Sequence, residues 1–103
     1  MKPILHVETR PSSPDRADEY NRWYDEIHIP QVLQLEGFVK ARRYAPVGDD
    51  GPYITEFELS GDPQAAIQAV VAAGVDGRLT MSDAMQLDPR PEMRILRQVT
   101  EQG

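Results

Sequence analysis

The stretch that decides the fold is YNRWYDEIHIP, residues 20–30, which we predict to lie on a long helix. Each residue advances about 100° around such a helix, and one arc of roughly 140° holds Ala17, Tyr20, Trp23, Tyr24, Ile27 and His28. Asn21 lies at the border of this arc, and the opposite side is mostly charged. A helix that only packs on a sheet offers aliphatic side chains, whereas phenols, indole and imidazole need polar partners when buried. We therefore expect this face to line a small-molecule pocket.

A proline follows the histidine of this stretch by two residues. Pro30 has no N–H, so we expect it to free the carbonyl of Glu26 and to break or kink the helix just after His28. An imidazole at such a place can move protons near neutral pH. The residue types leave a plainer alternative open, in which His28 is a packing residue bonded to a free carbonyl and the aromatic side chains are ordinary core.

Turn signals on either side of this helix divide the chain into six elements. We predict strands over 3–9, 38–45, 53–59 and 92–100, each rich in β-forming residues or alternating in polarity. The first helix begins at Asp15 and runs to about Leu35, with Gly37 after it; the second begins at Asp62–Pro63 and ends at Gly74. The order βαββαβ predicts an α+β, ferredoxin-like domain with a four-stranded antiparallel sheet and two helices on one face.

The face of the sheet away from the helices is the second surface of interest. We expect it to be partly apolar, with Phe57, Leu59, Ile95 and Val99 as candidate residues. An apolar sheet face needs a cover, and a homodimer that closes two sheets face to face would supply one. The sequence therefore predicts a homodimer.

Composition limits the classes of protein. A chain of 103 residues predicts a single domain, residues 1–103. The formal net charge of −6 argues against nucleic-acid binding and against an anionic membrane surface. No apolar run approaches the roughly 18 residues of a membrane span, so we expect a soluble, cytoplasmic protein. The chain has no Cys, which excludes disulfides and thiolate chemistry, and its His residues lack metal-binding spacing, so we expect no metal site.

The segment Glu26-Ile27-His28-Ile29-Pro30, followed by Leu33, Leu35 and Gly37-Phe38, resembles the signature of the EthD-like branch of the dimeric α/β-barrel superfamily. The resemblance extends over about residues 3–100 and implies two ferredoxin-like subunits whose sheets form a joint barrel, with a pocket in each subunit between sheet and helices. It makes His28 the motif histidine, Tyr24 and Trp23 pocket walls, and His6 on the first strand a second histidine facing the pocket. Members of the superfamily include cofactor-free cyclases, isomerases and monooxygenases as well as haem enzymes, so the fold does not name the reaction.

These observations lead to a functional hypothesis. We expect a cofactor-independent enzyme of lyase or isomerase type that acts on a hydrophobic, aromatic or polyketide-like molecule. In it, His28 is the general acid or base, Tyr24 and Tyr20 bind the substrate oxygen, and Trp23 stacks on the substrate ring. His6 is a further catalytic candidate, and the other substrate-binding candidates are Asn21, Ile27 and Arg42, the last as a partner for a carboxylate or enolate.

Three alternatives remain open at this stage. A cofactor-free monooxygenase would use the same pocket and consume oxygen. A non-catalytic protein would carry a hydrophobic ligand or assist another enzyme. We expect no cofactor, but haem with His28 as axial ligand is the cofactor that the sequence still allows.

Overall fold

The computed structural model describes residues 3–48 and 50–103. The strands are β1 (Ile4–Thr9), β2 (Phe38–Tyr44), β3 (Tyr53–Leu59) and β4 (Glu92–Leu96). The α-helices are α1 (Ala17–Trp23), α2 (Ile29–Val32) and α3 (Pro63–Asp76). A 3₁₀ turn, Pro14–Arg16, precedes α1, and a π-helical turn, Tyr24–His28, joins α1 to α2, so residues 14–32 form one helical run.

The four strands form one antiparallel sheet in the order β2-β3-β1-β4. Side chains from α2 and α3 pack on the same sheet face, in a core that includes Leu5, Val32, Phe57 and Ala66. The chain is therefore an α+β domain with an open four-stranded antiparallel sheet and two helical segments, compatible with the ferredoxin-like fold that the element order predicts. No helix among the described residues is both long enough and apolar enough to cross a membrane.

The start of α3 is the one that the sequence predicts, but its end is not. Asp62 accepts a hydrogen bond from the backbone N–H of Gln64 at 3.0 Å, and Pro63 is the first helical residue. The predicted end at Gly74 is wrong, since the helix continues to Asp76 and stops at Gly77, whose φ of 90° is left-handed. Gly74 is thus an interior residue of α3.

The first helical run also differs from its prediction. The helical run ends at Val32, short of the predicted end near Leu35. The chain stays helical past Pro30, so of the predicted break or kink after His28 the break is wrong. The irregularity lies one turn earlier, where the N–H of Ile29 bonds the carbonyl of Tyr24, a five-residue spacing. A π-turn widens the helix and is a documented way to fit a residue without a donor into it.

The open face of the sheet is mixed rather than mainly apolar, because a charged row crosses its centre and apolar Ile4, Ile54 and Leu96 lie on the same face. Phe57 and Leu59 are buried in the core and Ile95 pairs with inward-facing Leu5, so the expectation that these residues lie on the open face is wrong. Val99 lies beyond β4 and is exposed. Strand alternation fixes which residues share a face but not which face meets the helices. The open face instead carries a row of paired residues across all four strands: Arg42, Glu56, His6 and Arg94.

Candidate functional site

A cavity of about 390 Å³ lies between the sheet, α3 and the segment that follows α3. The sheet contributes Leu5, Val7 and Phe57, and the helix contributes Val70, Val71 and Gly74. The segment after α3 adds Leu79, Met81, Met85 and Leu87. Its volume is within the range of small-ligand sites, about 300–1,000 Å³. Four polar side chains reach this otherwise apolar wall: Thr9, Tyr24, His28 and Arg90.

His28 lies at the cavity wall with an unusual protonation preference. Its Nδ1 atom is buried and has no hydrogen-bond partner among the described residues. Burial and, to a lesser extent, the positive charge of Arg43 together lower the pKa of His28 from 6.5 to about 4. The imidazole is therefore neutral at pH 7, so the expectation that it changes charge near neutral pH is wrong.

Trp23 stacks on the imidazole of His28 and does not line the cavity. The two rings are stacked, with centroids 4.7 Å apart and an interplanar angle of 23°. The indole Nε1 donates to the carbonyl of Thr80 at 2.8 Å. The Gln31 side chain bonds both the N–H and the hydroxyl of Thr80. The stack is thus anchored to the segment that closes the cavity, which limits rotation of His28.

Tyr24 is the second polar residue of the helical run at the cavity. Its ring is 1% exposed and meets the His28 ring edge-on at 4.9 Å between centroids. Burial raises the pKa of the Tyr24 phenol, and the hydroxyls of Thr55 and Thr9 oppose the shift. The phenol therefore stays protonated at neutral pH and can act as a hydrogen-bond donor beside an imidazole that can accept.

Tyr20 packs one turn before Tyr24 and is fully buried. Its hydroxyl shares a hydrogen bond with the hydroxyl of Thr9, and its ring meets Tyr24 edge-on at 5.6 Å. Burial raises the pKa of Tyr20 as well, although the bond to Thr9 works against the shift. Tyr20 therefore supports Tyr24 and Thr9 instead of meeting a ligand in the cavity.

Arg43 is a residue of the site that the sequence hypothesis did not single out. Its guanidinium carbon lies 4.3 Å from the centroid of the Tyr24 ring, a cation–π distance. Its nitrogens donate to Asp25 at 2.8 Å and to Asn21 at 3.0 Å. Strand alternation could have identified this residue. It places Arg43 on the face opposite to Arg42, and in the structure Arg43 pairs with buried Thr55 and so faces the helices.

The remaining candidates of the helical run lie outside the cavity. The Asn21 side chain donates to the Ala17 carbonyl and to the Tyr53 hydroxyl, and accepts from Arg43. Ile27 is 39% exposed and borders a groove on the outer side of the run. A π-turn advances each residue by fewer degrees than an α-turn, which brings His28 into line with Tyr24 and rotates Ile27 outward.

The two candidates on strands lie on the open face of the sheet. His6 Nε2 lies 3.0 Å from Glu8 and its Nδ1 lies 3.8 Å from Glu56. Arg42 pairs with Glu58 at 2.8 Å. The sheet therefore separates His6 and Arg42 from the cavity that holds His28 and Tyr24.

Two searches complete the description of the site. Within residues 3–48 and 50–103, no three His, Asp or Glu side chains are grouped as a metal ion would require. Comparisons with protein-family models, with curated proteins and with solved structures find no match to this chain.

Proposed function

We propose that the protein is a cofactor-independent enzyme that moves a proton on a hydrophobic small molecule bound in the cavity of His28 and Tyr24. The observation that carries the proposal is the neutral imidazole of His28 at the wall of an apolar cavity. Its buried Nδ1 also has no hydrogen-bond partner among the described residues, whereas buried polar atoms are normally paired. The reaction class that we propose is proton transfer, which includes isomerisations, cyclisations, dehydrations and lyase-type cleavages.

The protonation states of the two residues fit this chemistry. His28 is neutral and can accept a proton, and Tyr24 is protonated and can donate a hydrogen bond. Pairs of titratable groups whose surroundings push their pKa values apart divide acid and base roles between them. The 4.9 Å between the two rings lets one bound molecule meet both.

In the proposed reaction, His28 takes a proton from a carbon next to a carbonyl group. The electron pair of the broken C–H bond moves to the carbonyl oxygen, and Tyr24 donates a hydrogen bond to the resulting enolate. The guanidinium carbon of Arg43 lies 4.3 Å from the centroid of the Tyr24 ring, and its positive charge stabilises negative charge near that ring. The imidazolium then returns the proton to the same molecule, so no oxidant, metal or cofactor enters the balance.

The experiment measures proton transfer directly. The purified protein is incubated in D₂O with an aromatic ketone such as β-tetralone, and deuterium uptake at the α-carbon is followed by NMR. We expect the parent protein to accelerate the exchange and His28→Gln to lower it by about 10²-fold or more, the usual contribution of a general base. Tyr24→Phe should slow the exchange less, since it removes one hydrogen bond.

A matched control uses the second histidine of the chain. His6→Gln lies on the open face of the sheet and should leave the exchange unchanged. Circular dichroism and thermal unfolding of each variant show whether the fold is kept. Exchange at the buffer rate in the parent protein, or equal exchange in the parent and in folded His28→Gln, would rule out the catalytic proposal.

One observation favours a second candidate, a non-catalytic carrier of hydrophobic molecules. Met81, Met85 and Met93, all the methionines in the described residues, line the cavity. Methionine is flexible and adapts to ligands of different shape. A carrier would bind β-tetralone without accelerating exchange, so calorimetric binding together with the exchange assay distinguishes the two functions.

A further inference from the structure

The cavity adjoins a smaller polar pocket, and this junction indicates what kind of molecule the site takes. The polar pocket has a volume of about 210 Å³ and shares Thr9, Arg90 and Pro91 with the cavity. The wall of one compartment is almost entirely apolar, whereas the other contains four charged side chains. A molecule that spans the junction must therefore be apolar over one part and polar over the other.

The polar pocket contains two arginines and two glutamates, and neither arginine has a carboxylate within ion-pair distance among the described residues. The four charged residues are Glu8, Arg10, Arg90 and Glu92. Glu8 is already engaged by His6 at 3.0 Å and by Arg94 at 3.3 Å. Arg10 donates one bond, to the carbonyl of Asp50, and retains further donors. Glu92 has no cation within ion-pair distance among the described residues. The pocket therefore has one unpaired carboxylate and two guanidinium groups without a carboxylate partner.

Arg90 is placed to recognise the anion. Its charged side chain borders both the apolar cavity and the polar pocket. In the part of the chain that the structure describes, Arg90 has no carboxylate within ion-pair distance. A guanidinium binds a carboxylate through two parallel hydrogen bonds, an arrangement that also fixes the orientation of the ligand.

We propose that the site binds an apolar molecule that bears one carboxylate, with the apolar body in the cavity and the carboxylate on Arg90 at the junction. This inference rests on the proposed function for the place of the ligand and adds its chemical class. It also assigns Arg90 a role in substrate selection, because a neutral analogue would leave the guanidinium unpaired.

The test compares a naphthoic acid with the matching naphthamide, which differ in charge but hardly in shape. Calorimetry measures the affinity of the parent protein for each probe. We expect the acid to bind roughly tenfold tighter than the amide, and the difference to shrink as salt screens the exposed guanidinium. In Arg90→Gln the ratio of the two affinities should fall to about one, because the glutamine carries no charge.

Two control variants locate the effect. Arg97→Gln removes an exposed arginine beyond β4 and should leave the affinity ratio unchanged. Gly74→Leu places a side chain where a Cβ meets no heavy atom within 4 Å, at the cavity wall, and should weaken both probes. Ala72→Leu, at an exposed position on the same helix, should weaken neither.

The outcomes separate this inference from the proposed function. An affinity ratio of one in the parent protein, or a ratio that Arg90→Gln does not change, overturns the role of the carboxylate. If Gly74→Leu still weakens both probes in that case, the cavity remains the binding site. Failure of the acid to bind at millimolar concentration overturns the inference as well, while the deuterium-exchange assay judges the catalytic proposal independently.

Discussion

At His28 a buried position and a nearby cation both disfavour the charged imidazole. The pKa of His28 is about 4 in the folded chain, below its ordinary value of 6.5. Between these two values the unfolded chain binds more protons than the folded chain, so stability is complete above about pH 6.5 and is lost as the pH falls toward 4. We expect the free energy of unfolding to drop by roughly 2–3 kcal/mol between neutral pH and about pH 4.5, as measured by urea unfolding.

The control for this prediction is His28→Gln, which cannot titrate. The carboxyls of Glu19 and Asp83, whose pKa values are lowered by bonds to Arg16, add acid sensitivity to both proteins. The difference between the two pH profiles therefore isolates His28. Parallel profiles for the parent and for His28→Gln would show that the imidazole is solvated in solution.

Arg43 and Arg42 are adjacent in the chain and lie on opposite faces of β2, which makes them a matched pair. Arg43 is the second cause of the lowered pKa of His28, after burial. We expect Arg43→Gln to raise the pKa of His28 while leaving it below the ordinary value, because burial remains. The pKa is measured by NMR titration of the imidazole, with His6→Gln used to assign the signal.

Arg42→Gln is the control for that titration. Arg42 pairs with Glu58 on the open face, and the sheet separates it from His28. Its replacement should leave the pKa of His28 unchanged. A similar change in both variants would mean that net charge, not the position of Arg43, controls the imidazole.

At the scale of the element, one glycine lies inside α3 and a second one follows its last residue, and the two have different roles. Gly74 lies inside the helix beside open space, and Gly77 ends the helix with a φ of 90°. Gly74→Ala should raise the free energy of unfolding by about 0.5–1 kcal/mol, since alanine restricts the unfolded chain and favours helix. Gly77→Ala should lower it by about 1–2 kcal/mol, because a Cβ is strained in the left-handed region.

Chemical denaturation of both variants measures the two changes. A loss of stability in Gly74→Ala would contradict the position of Gly74 inside the helix and beside the cavity. Unchanged stability in Gly77→Ala would contradict the left-handed end of α3.

At the scale of the whole molecule, the predicted homodimer depends on the open face of the sheet. This face carries the row Arg42, Glu56, His6 and Arg94 across its centre, together with apolar Ile4, Ile54 and Leu96. Two such faces can meet through ion pairs and through apolar contact. We expect a dimer mass by light scattering at micromolar concentration and dissociation at high salt.

A charge reversal tests the same surface. Arg42→Glu places a like charge beside Glu56 and Glu58 and should weaken the dimer through repulsion. Arg97→Glu, beyond β4, serves as the control. A monomer mass for the parent protein at low salt would contradict the homodimer.

The sequence by itself determined the elements and their order, because local rules act there. Capping by Asp62 and alternation along β3 are properties of short segments, and the structure confirms both. The aromatic face of the first helix was also predicted from the sequence. In the structure two of its residues, Tyr24 and His28, lie together at one cavity wall.

Only the tertiary structure decided which face of the sheet meets the helices and which residues form the cavity. Alternation is the same for either face, so Phe57 and Leu59 entered the core while His6 and Arg42 came to lie on the open side. The π-turn that aligns His28 with Tyr24 is a departure from regular helix. The contact between Arg43 and the Tyr24 ring joins two segments that are far apart in sequence. Such features arise from packing between elements, which no local pattern specifies.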